Sequence, residues 1–132
     1  MALSNESVCA TDVGGANAVV LIGHGQRRCQ LGGIIDRLRR GGALAVLLPE
    51  VDRLFGVPQA PEFHPEIDTG VHVLMAMSTA ARISASPEAV FALLLHDLGK
   101  GLTPAADLPA HAGHEERGMP LVKAVCARLR AP

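Results

Sequence analysis

Apolar residues recur at helical spacing through most of this chain. From Leu31 onward, an apolar stripe repeats every three or four residues until Gly41-Gly42 ends the pattern. Two short helical segments are predicted next, from Ala43 to Leu48 and from Glu50 to Phe55. Three prolines then predict a loop over residues 56–66.

The following two helices carry recognisable start signals. Asp68 is a typical N-cap residue and predicts a helix that runs to about Ile83. Ser86 precedes a proline and a glutamate, which predicts a second helix start. We expect this helix to include Asp97 and to end at Gly99.

The last apolar pattern begins after a predicted loop over residues 103–109. Either His111 or Gly113 opens this amphipathic helix, which continues to Leu129. The pattern as a whole therefore predicts a mainly α fold, a small helical domain.

The N-terminal segment differs from the rest. Residues 1–17 are small and polar without a clear period, and they predict an irregular arm. The apolar stretch Ala18 to Ile22 is typical of a short buried strand, although no partner strand is evident. We therefore expect a short strand or an irregular arm at the N-terminus.

Composition narrows the class of protein. The chain has 132 residues, of which 48% are hydrophobic, enough for one folded core. Its net charge of −1 and 2% aromatic content do not favour nucleic-acid binding, so we expect tRNA to bind weakly if at all. Three separated cysteines, no signal peptide and no long apolar run indicate a reduced, cytoplasmic protein without membrane contact.

Histidines and one aspartate provide the candidate chemistry. His96 and Asp97 are adjacent at the end of an apolar run, His72 lies in a predicted helix, and His111 and His114 follow. Imidazole and carboxylate together suit a divalent transition metal. The alternative is a hydrogen-bonded polar group in a helical core, and a lone His72 would favour that interpretation.

Several motifs resemble a known family. His72 followed by His96-Asp97 is similar to the signature of the HD superfamily of metal-dependent phosphohydrolases. More closely, LPEVDRLFGVPQ, HPEIDTGVH, LLHDLGKGLTP and HAGHEERG resemble the HD domain of bacterial CCA-adding tRNA nucleotidyltransferases. The resemblance implies that residues 32–132 form a truncated HD-type helical domain. Residues 1–31 do not resemble the family and are expected to form an arm or an oligomer contact.

The resemblance also implies a function and a site. It implies a phosphohydrolase acting on phosphoesters such as 2′,3′-cyclic nucleotides, with Ni, Mn, Mg or Co as the divalent metal. His72, His96 and Asp97 would bind this metal, and His96 and Asp97 would also be catalytic. Lys100 would offset charge on the phosphate.

The sequence leaves the fourth metal ligand open. The family's further aspartate comes from a later helix and is expected to be missing here. We therefore expect His111 or His114 to complete the metal set. Truncation would also expose apolar faces, and this predicts a homo-oligomer, most simply a dimer.

Two other functions remain open. Gly23, His24 and Gly25 follow the apolar stretch as a GxG turn, which suits an NAD-dependent oxidoreductase (dehydrogenase) with its cofactor near a dimer interface. Arg28 stands at the third glycine position of that motif, and no second strand follows. The last candidate is a non-catalytic fragment that contacts tRNA.

Overall fold

Six α-helices and two 3₁₀ helices follow one another in residues 30–131, the part of the chain that this computed structural model describes. The α-helices are α1 (Gln30–Arg40), α2 (Ala43–Leu47), α3 (Pro49–Asp52), α4 (Thr69–Arg82), α5 (Pro87–Leu95) and α6 (His114–Leu129). The 3₁₀ helices span Leu98–Leu102 and Ala105–Asp107. Over this range the β structure amounts to one antiparallel bridge, between Pro58 and Asp68.

The mainly α prediction is therefore confirmed. The expected N-terminal arm or strand falls on residues 1–29, outside the described range. Among residues 30–131, no helix combines the length and the apolar character that crossing a membrane requires.

Both predicted N-caps are confirmed. The Asp68 side chain accepts a hydrogen bond of 2.9 Å from the backbone of Val71, and α4 begins directly after it. Ser86 accepts a hydrogen bond of 3.2 Å from the backbone of Ala89 at the start of α5. These caps satisfy backbone N–H groups that the first helical turn leaves without partners.

Two predicted helix boundaries are wrong. The fifth helix ends at Leu95 rather than at Gly99, so Asp97 lies outside it and Gly99 lies inside a 3₁₀ helix. The short helix predicted from Glu50 is also displaced, and it spans Pro49–Asp52. Of the two openings predicted for the last helix, His111 and Gly113, the second is confirmed: Gly113 is the N-cap, in the left-handed conformation with φ 72°, and His114 is the first helical residue.

One apolar cluster connects these helices. Its most buried side chains, each with at most 1% of its surface exposed, come from α2, α3, the loop after α3, α4, the first 3₁₀ helix and α6: Leu44, Val51, Leu54, Val73, Leu98 and Val125. A buried side chain of this size contributes roughly 1.5–3 kcal/mol through the hydrophobic effect. The 3₁₀ helix that follows His96-Asp97 is thus anchored in the core through Leu98.

Two glycines let this 3₁₀ helix lie against α6. A Cβ atom built on Gly99 would overlap the carbonyl oxygen of His114 and lie 2.6 Å from the backbone nitrogen of Gly118. A Cβ atom on Gly118 would lie 3.0 Å from the nitrogen of Gly99. Both obstructing groups are backbone atoms, which cannot rotate away as a side chain can.

Several large apolar side chains remain exposed on the described surface. Val46 and Phe63 are each 81% exposed, and Ile83 is 74% exposed. Such side chains are typical of interaction surfaces when they are contiguous. The homo-oligomer expected from the sequence stays a prediction.

We predict that Gly99→Ala destabilises the fold by about 3 kcal/mol or more, because its methyl group has no space beside the backbone of α6. Gly33→Ala is the matched control. Its Cβ would meet nothing closer than 3.9 Å within α1, so the free energy of unfolding should rise by about 0.5–1 kcal/mol. Urea unfolding of both variants measures the change in their free energy of unfolding. An unchanged stability of Gly99→Ala would contradict the close approach.

Candidate metal centre

Three helix ends bring the predicted ligands together. His72 lies near the start of α4, His96-Asp97 follows α5, and His114 is the first residue of α6. One potential ligand atom from each of His72, His96 and Asp97 lies within 4.8 Å of the others. His114 Nε2 lies 3.5 Å from Asp97 Oδ1. The group defined by this distance contains two imidazoles and one carboxylate, and His114 lies outside it, in contact with Oδ1 of the same carboxylate.

The ring of His72 is fixed by a carboxylate. His72 Nδ1 lies 2.5 Å from Glu66 Oε1 and donates its hydrogen to it, since an ionised carboxylate can only accept. His64 Nδ1 lies 3.3 Å from the same oxygen. Partial burial alone would raise the pKa of Glu66. Hydrogen bonds from the backbone and from His72 together outweigh burial, and the pKa lies below its ordinary value. Glu66 therefore stays ionised and leaves His72 Nε2 with a free lone pair.

A strained backbone residue places Glu66 in this position. Ile67 has φ 58°, which is a left-handed conformation that β-branched residues rarely adopt. Its carbonyl oxygen accepts a hydrogen bond of 2.6 Å from the backbone of Gln59. The turn allows Glu66 to bind His72 while Asp68, only two residues later, caps α4.

The other two histidines are fixed by backbone carbonyl groups. His96 Nδ1 donates to the carbonyl oxygen of Leu93 over 2.7 Å. His114 Nδ1 donates to the carbonyl oxygen of His111 over 2.8 Å. A carbonyl oxygen can only accept, so each neutral ring has its hydrogen on Nδ1 and its lone pair on Nε2. All three rings consequently present Nε2 as the ligand atom, the arrangement found around protein-bound metals.

Asp97 is the buried carboxylate of the cluster, with 2% of its surface exposed. Burial would raise its pKa, but close contacts with His96 and Lys100 outweigh burial and hold the pKa far below its ordinary value. Among residues 30–131, no group makes a hydrogen bond of good geometry to its Oδ2, although Lys100 Nζ lies 2.9 Å away. A buried, ionised oxygen with an unused lone pair fits a divalent cation.

The protonation of His96 depends on the same carboxylate. His96 Nε2 lies 3.2 Å from Asp97 Oδ2, and this contact raises the pKa of His96 against the opposing effect of burial. A metal ligand must be a neutral imidazole. Binding of a cation would therefore displace the proton that Asp97 favours on His96.

His111 does not join the cluster. Its Nδ1 lies 2.8 Å from Thr103 Oγ1, and its Nε2 lies 2.9 Å from the carbonyl oxygen of Pro58. The carbonyl oxygen of Pro58 can only accept, so the ring donates from Nε2 and the Thr103 hydroxyl donates to Nδ1, while Arg117 donates to Thr103 Oγ1. Burial lowers the pKa of His111, in agreement with a neutral ring. Both nitrogens are thus engaged elsewhere, and His114 is the better placed of the two candidates.

Lys100 lies behind Asp97 rather than at an open surface. It is 7% exposed, and its Nζ atom lies 2.9 Å from Asp97 Oδ2 and 2.6 Å from Gln59 Oε1. Gln59 is 1% exposed. Lys100 thus balances the charge of Asp97 inside the protein, and its predicted contact with a phosphate stays a prediction.

Several cavities border the cluster. One of about 680 Å³ is lined by residues of α5 and α6 together with His96. An apolar groove of about 850 Å³ lies between α4 and α5 and is lined in part by His72 and His96. A smaller pocket of about 320 Å³ is lined in part by Lys100, His111 and His114. The cluster can therefore be reached from more than one side.

Sequence reasoning assigned no role to Glu66, His64 or Gln59, although all three lie in the motifs quoted above. The usable signal was the pair His64 and Glu66 within HPEIDTGVH, because histidine beside carboxylate is the residue chemistry of metal sites. Nothing in the sequence indicated that Gln59 contacts Lys100, 41 residues later. Gly23, His24, Gly25 and Arg28, the residues expected to bind NAD, lie outside the described range.

Part of the chain matches a known protein family. Residues 69–131 match the family model described as HD domain. No solved structure matches the chain.

Curated relatives extend the match. The Multifunctional CCA protein of Cupriavidus metallidurans is 60% identical over 99 residues, which is 75% of this chain and 24% of that protein. The protein of the same name from Thioalkalivibrio sulfidiphilus is 63% identical over 95 residues, 72% of this chain and 23% of its own length. The chain thus spans about a quarter of the length of these relatives. The resemblance indicated by the motifs is confirmed over the matched residues.

We predict that Glu66→Gln weakens binding of Ni²⁺ or Mn²⁺ by about 10- to 100-fold, because the uncharged amide no longer holds the His72 ring as an ionised acceptor. Isothermal titration calorimetry measures the dissociation constant. Glu62→Gln, an exposed carboxylate in the same loop, is the matched control and should bind like the unmodified chain. Equal affinities for all three proteins would contradict a role for Glu66.

Proposed function

We propose that this chain, whose residues 69–131 match the HD domain family, hydrolyses phosphoesters such as 2′,3′-cyclic nucleotides with the help of a divalent metal ion. The observation that carries the proposal is the donor set: three imidazoles whose Nδ1 atoms are already bound, beside a buried and ionised aspartate. His72, His96, Asp97 and His114 would hold the ion. Metal-dependent phosphohydrolysis is also the activity that the motif resemblance implied.

The donor set favours certain metals. Three nitrogen ligands and one oxygen ligand suit Ni²⁺, Co²⁺ or Mn²⁺ better than Mg²⁺, which prefers oxygen ligands. When bound, such an ion polarises a phosphoryl oxygen and lowers the pKa of a water molecule.

The chain's own residues prepare the site for this chemistry. Asp97 is kept ionised at neutral pH by its contacts with His96 and Lys100. Lys100 limits the negative charge that an approaching phosphate would meet. Glu66 holds the hydrogen of His72 on Nδ1, and backbone carbonyl groups do the same for His96 and His114. The rings therefore need not turn or change tautomer when a ligand binds at Nε2.

We predict that the purified chain hydrolyses 2′,3′-cyclic AMP with Ni²⁺, Co²⁺ or Mn²⁺ and that a chelator abolishes the turnover. Asp97→Asn should lower kcat/KM at least about 100-fold, because the neutral amide removes the anionic ligand. Asp107→Asn, an exposed acid at the end of the second 3₁₀ helix, is the matched control and should retain activity. Turnover that survives the chelator, or an active Asp97→Asn, would sink the proposal.

His114 and His111 can be separated by a further pair of variants. His114→Asn should weaken Ni²⁺ binding about 10-fold or more, because it removes a free Nε2. His111→Asn should leave affinity within about threefold. Its ring nitrogens are engaged by Thr103 and Pro58, and its carbonyl oxygen still accepts from His114. Calorimetric titration of both variants decides, and the reverse order of affinities would assign the fourth ligand to His111.

A further inference from the structure

His64 stands apart from the candidate metal centre, although its ring lies beside that of His72. Its Nδ1 atom lies 3.3 Å from Glu66 Oε1, the oxygen that also accepts a hydrogen bond from His72 Nδ1. The two rings stand edge to face, with their centroids 4.7 Å apart. Two imidazole nitrogens therefore converge on one carboxylate oxygen, on the side of the His72 ring that bears Nδ1.

These three residues are a candidate ligand set in their own right. One potential ligand atom from each of His64, Glu66 and His72 lies within 4.8 Å of the others. Ligand atoms of a tetrahedral zinc site lie roughly 3.3 Å apart, which is the separation already found between His64 Nδ1 and Glu66 Oε1. His72 Nδ1, 2.5 Å from that oxygen, would have to move outward by about 1 Å. Two histidines and a glutamate, with water as the fourth ligand, are a donor set that open zinc sites use.

The backbone holds His64 and Glu66 in one turn. The N–H group of His64 donates to the carbonyl oxygen of Ala60 over 3.0 Å, and its own carbonyl oxygen accepts from Ile67 over 2.8 Å. The side chains of His64 and Glu66 are 28% and 11% exposed, so the protein partly shields both from water. Because hydrogen bonds already fix this turn, an ion bears less of the entropic cost of gathering the two ligands.

A cation can reach these residues from the apolar groove between α4 and α5. His64, Glu66 and His72 all line this groove of about 850 Å³. Among the described residues that line it, none is a lysine or an arginine. An approaching cation therefore meets the carboxylate of Glu66 without an opposing charge from the walls of the groove.

We propose that His64, Glu66 and Nδ1 of His72 form a second cation site, which takes Zn²⁺ and competes with the candidate metal centre for the His72 ring. A neutral imidazole has one hydrogen and one lone pair. When an ion takes the lone pair at Nδ1, the hydrogen passes through solvent to Nε2, the atom that the candidate metal centre needs. Binding at one nitrogen thus excludes binding at the other. The zinc site does not depend on the proposed function, but its inhibitory effect rests on it.

The first experiment uses the whole, unmodified chain with Zn²⁺ as the added metal. Long-range ¹H–¹⁵N NMR observes Nδ1 and Nε2 of each of its six histidines separately, and a bound metal shifts the nitrogen that it contacts. Titration should shift the His64 Nδ1 resonance saturably. His111 is the internal reference, because Thr103 and Pro58 engage both of its ring nitrogens. A His64 Nδ1 resonance that stays unchanged over the whole titration would overturn the proposal.

Variants separate the two sites quantitatively. His96→Asn removes a ligand of the candidate metal centre but keeps the proposed site, so binding of Zn²⁺ should remain. Adding His64→Asn should then raise the dissociation constant of Zn²⁺ at least about tenfold in calorimetric titration. Adding His111→Asn instead is the matched control and should change it by less than about threefold. Equal affinity with and without His64 would overturn the proposal. Should a variant fail to fold by circular dichroism, the NMR titration decides alone.

The effect on activity is a separate test. With Ni²⁺ at a saturating concentration, added Zn²⁺ should inhibit hydrolysis of 2′,3′-cyclic AMP, and His64→Asn should raise the inhibitory concentration at least about tenfold. Inhibition that His64→Asn does not relieve would mean that Zn²⁺ displaces Ni²⁺ from the candidate metal centre, and it would overturn the competition. Zinc binding at His64 without any turnover would support the zinc site and remove the hydrolase. Turnover with His64 unaffected by Zn²⁺ would support the hydrolase and remove the zinc site.

Discussion

The close approach of Gly99 to the backbone of α6 is the constraint on which the rest of this structure depends. It places the 3₁₀ helix after α5 against the first turn of α6, where Gly118 leaves the necessary space. Asp97 directly precedes the 3₁₀ helix, and His114 is the first residue of α6, so this contact holds the two residues close together. Any side chain at Gly99 would separate them, so the absence of one Cβ atom determines whether the carboxylate and the third imidazole meet.

The charges of the site depend on this packing in turn. A buried carboxylate is costly unless it is paired, and Asp97 is paired with Lys100, which Gln59 holds from the other side. This chain of contacts keeps Asp97 ionised without exposing it to water. The lysine that sequence reasoning assigned to the phosphate is therefore first a partner of the aspartate, and only its remaining donor is available to a ligand.

The parts of the fold that follow from local signals were predictable, and those that follow from distant contacts were not. Asp68 and Ser86 cap their helices through neighbours three residues away, so the sequence indicates both starts. The end of α5 could not be predicted, because Gly99 is read locally as a helix stop while its function is to contact a helix fifteen residues later.

The candidate site also has some residues that local sequence signals predict and others that depend on distant contacts. The doublet His96-Asp97 and its partner His72 were recognisable from residue type and motif. The choice between His111 and His114 was not, since it depends on the left-handed Gly113 and on hydrogen bonds from His111 to Thr103 and Pro58. The locked rings have one more consequence. Because each of the three rings has lost its rotational freedom on folding, a ligand does not bear that entropic cost again. The fold then sets the spacing of the Nε2 atoms, so a cation bound there would be selected by its radius and preferred geometry as well as by its affinity for nitrogen.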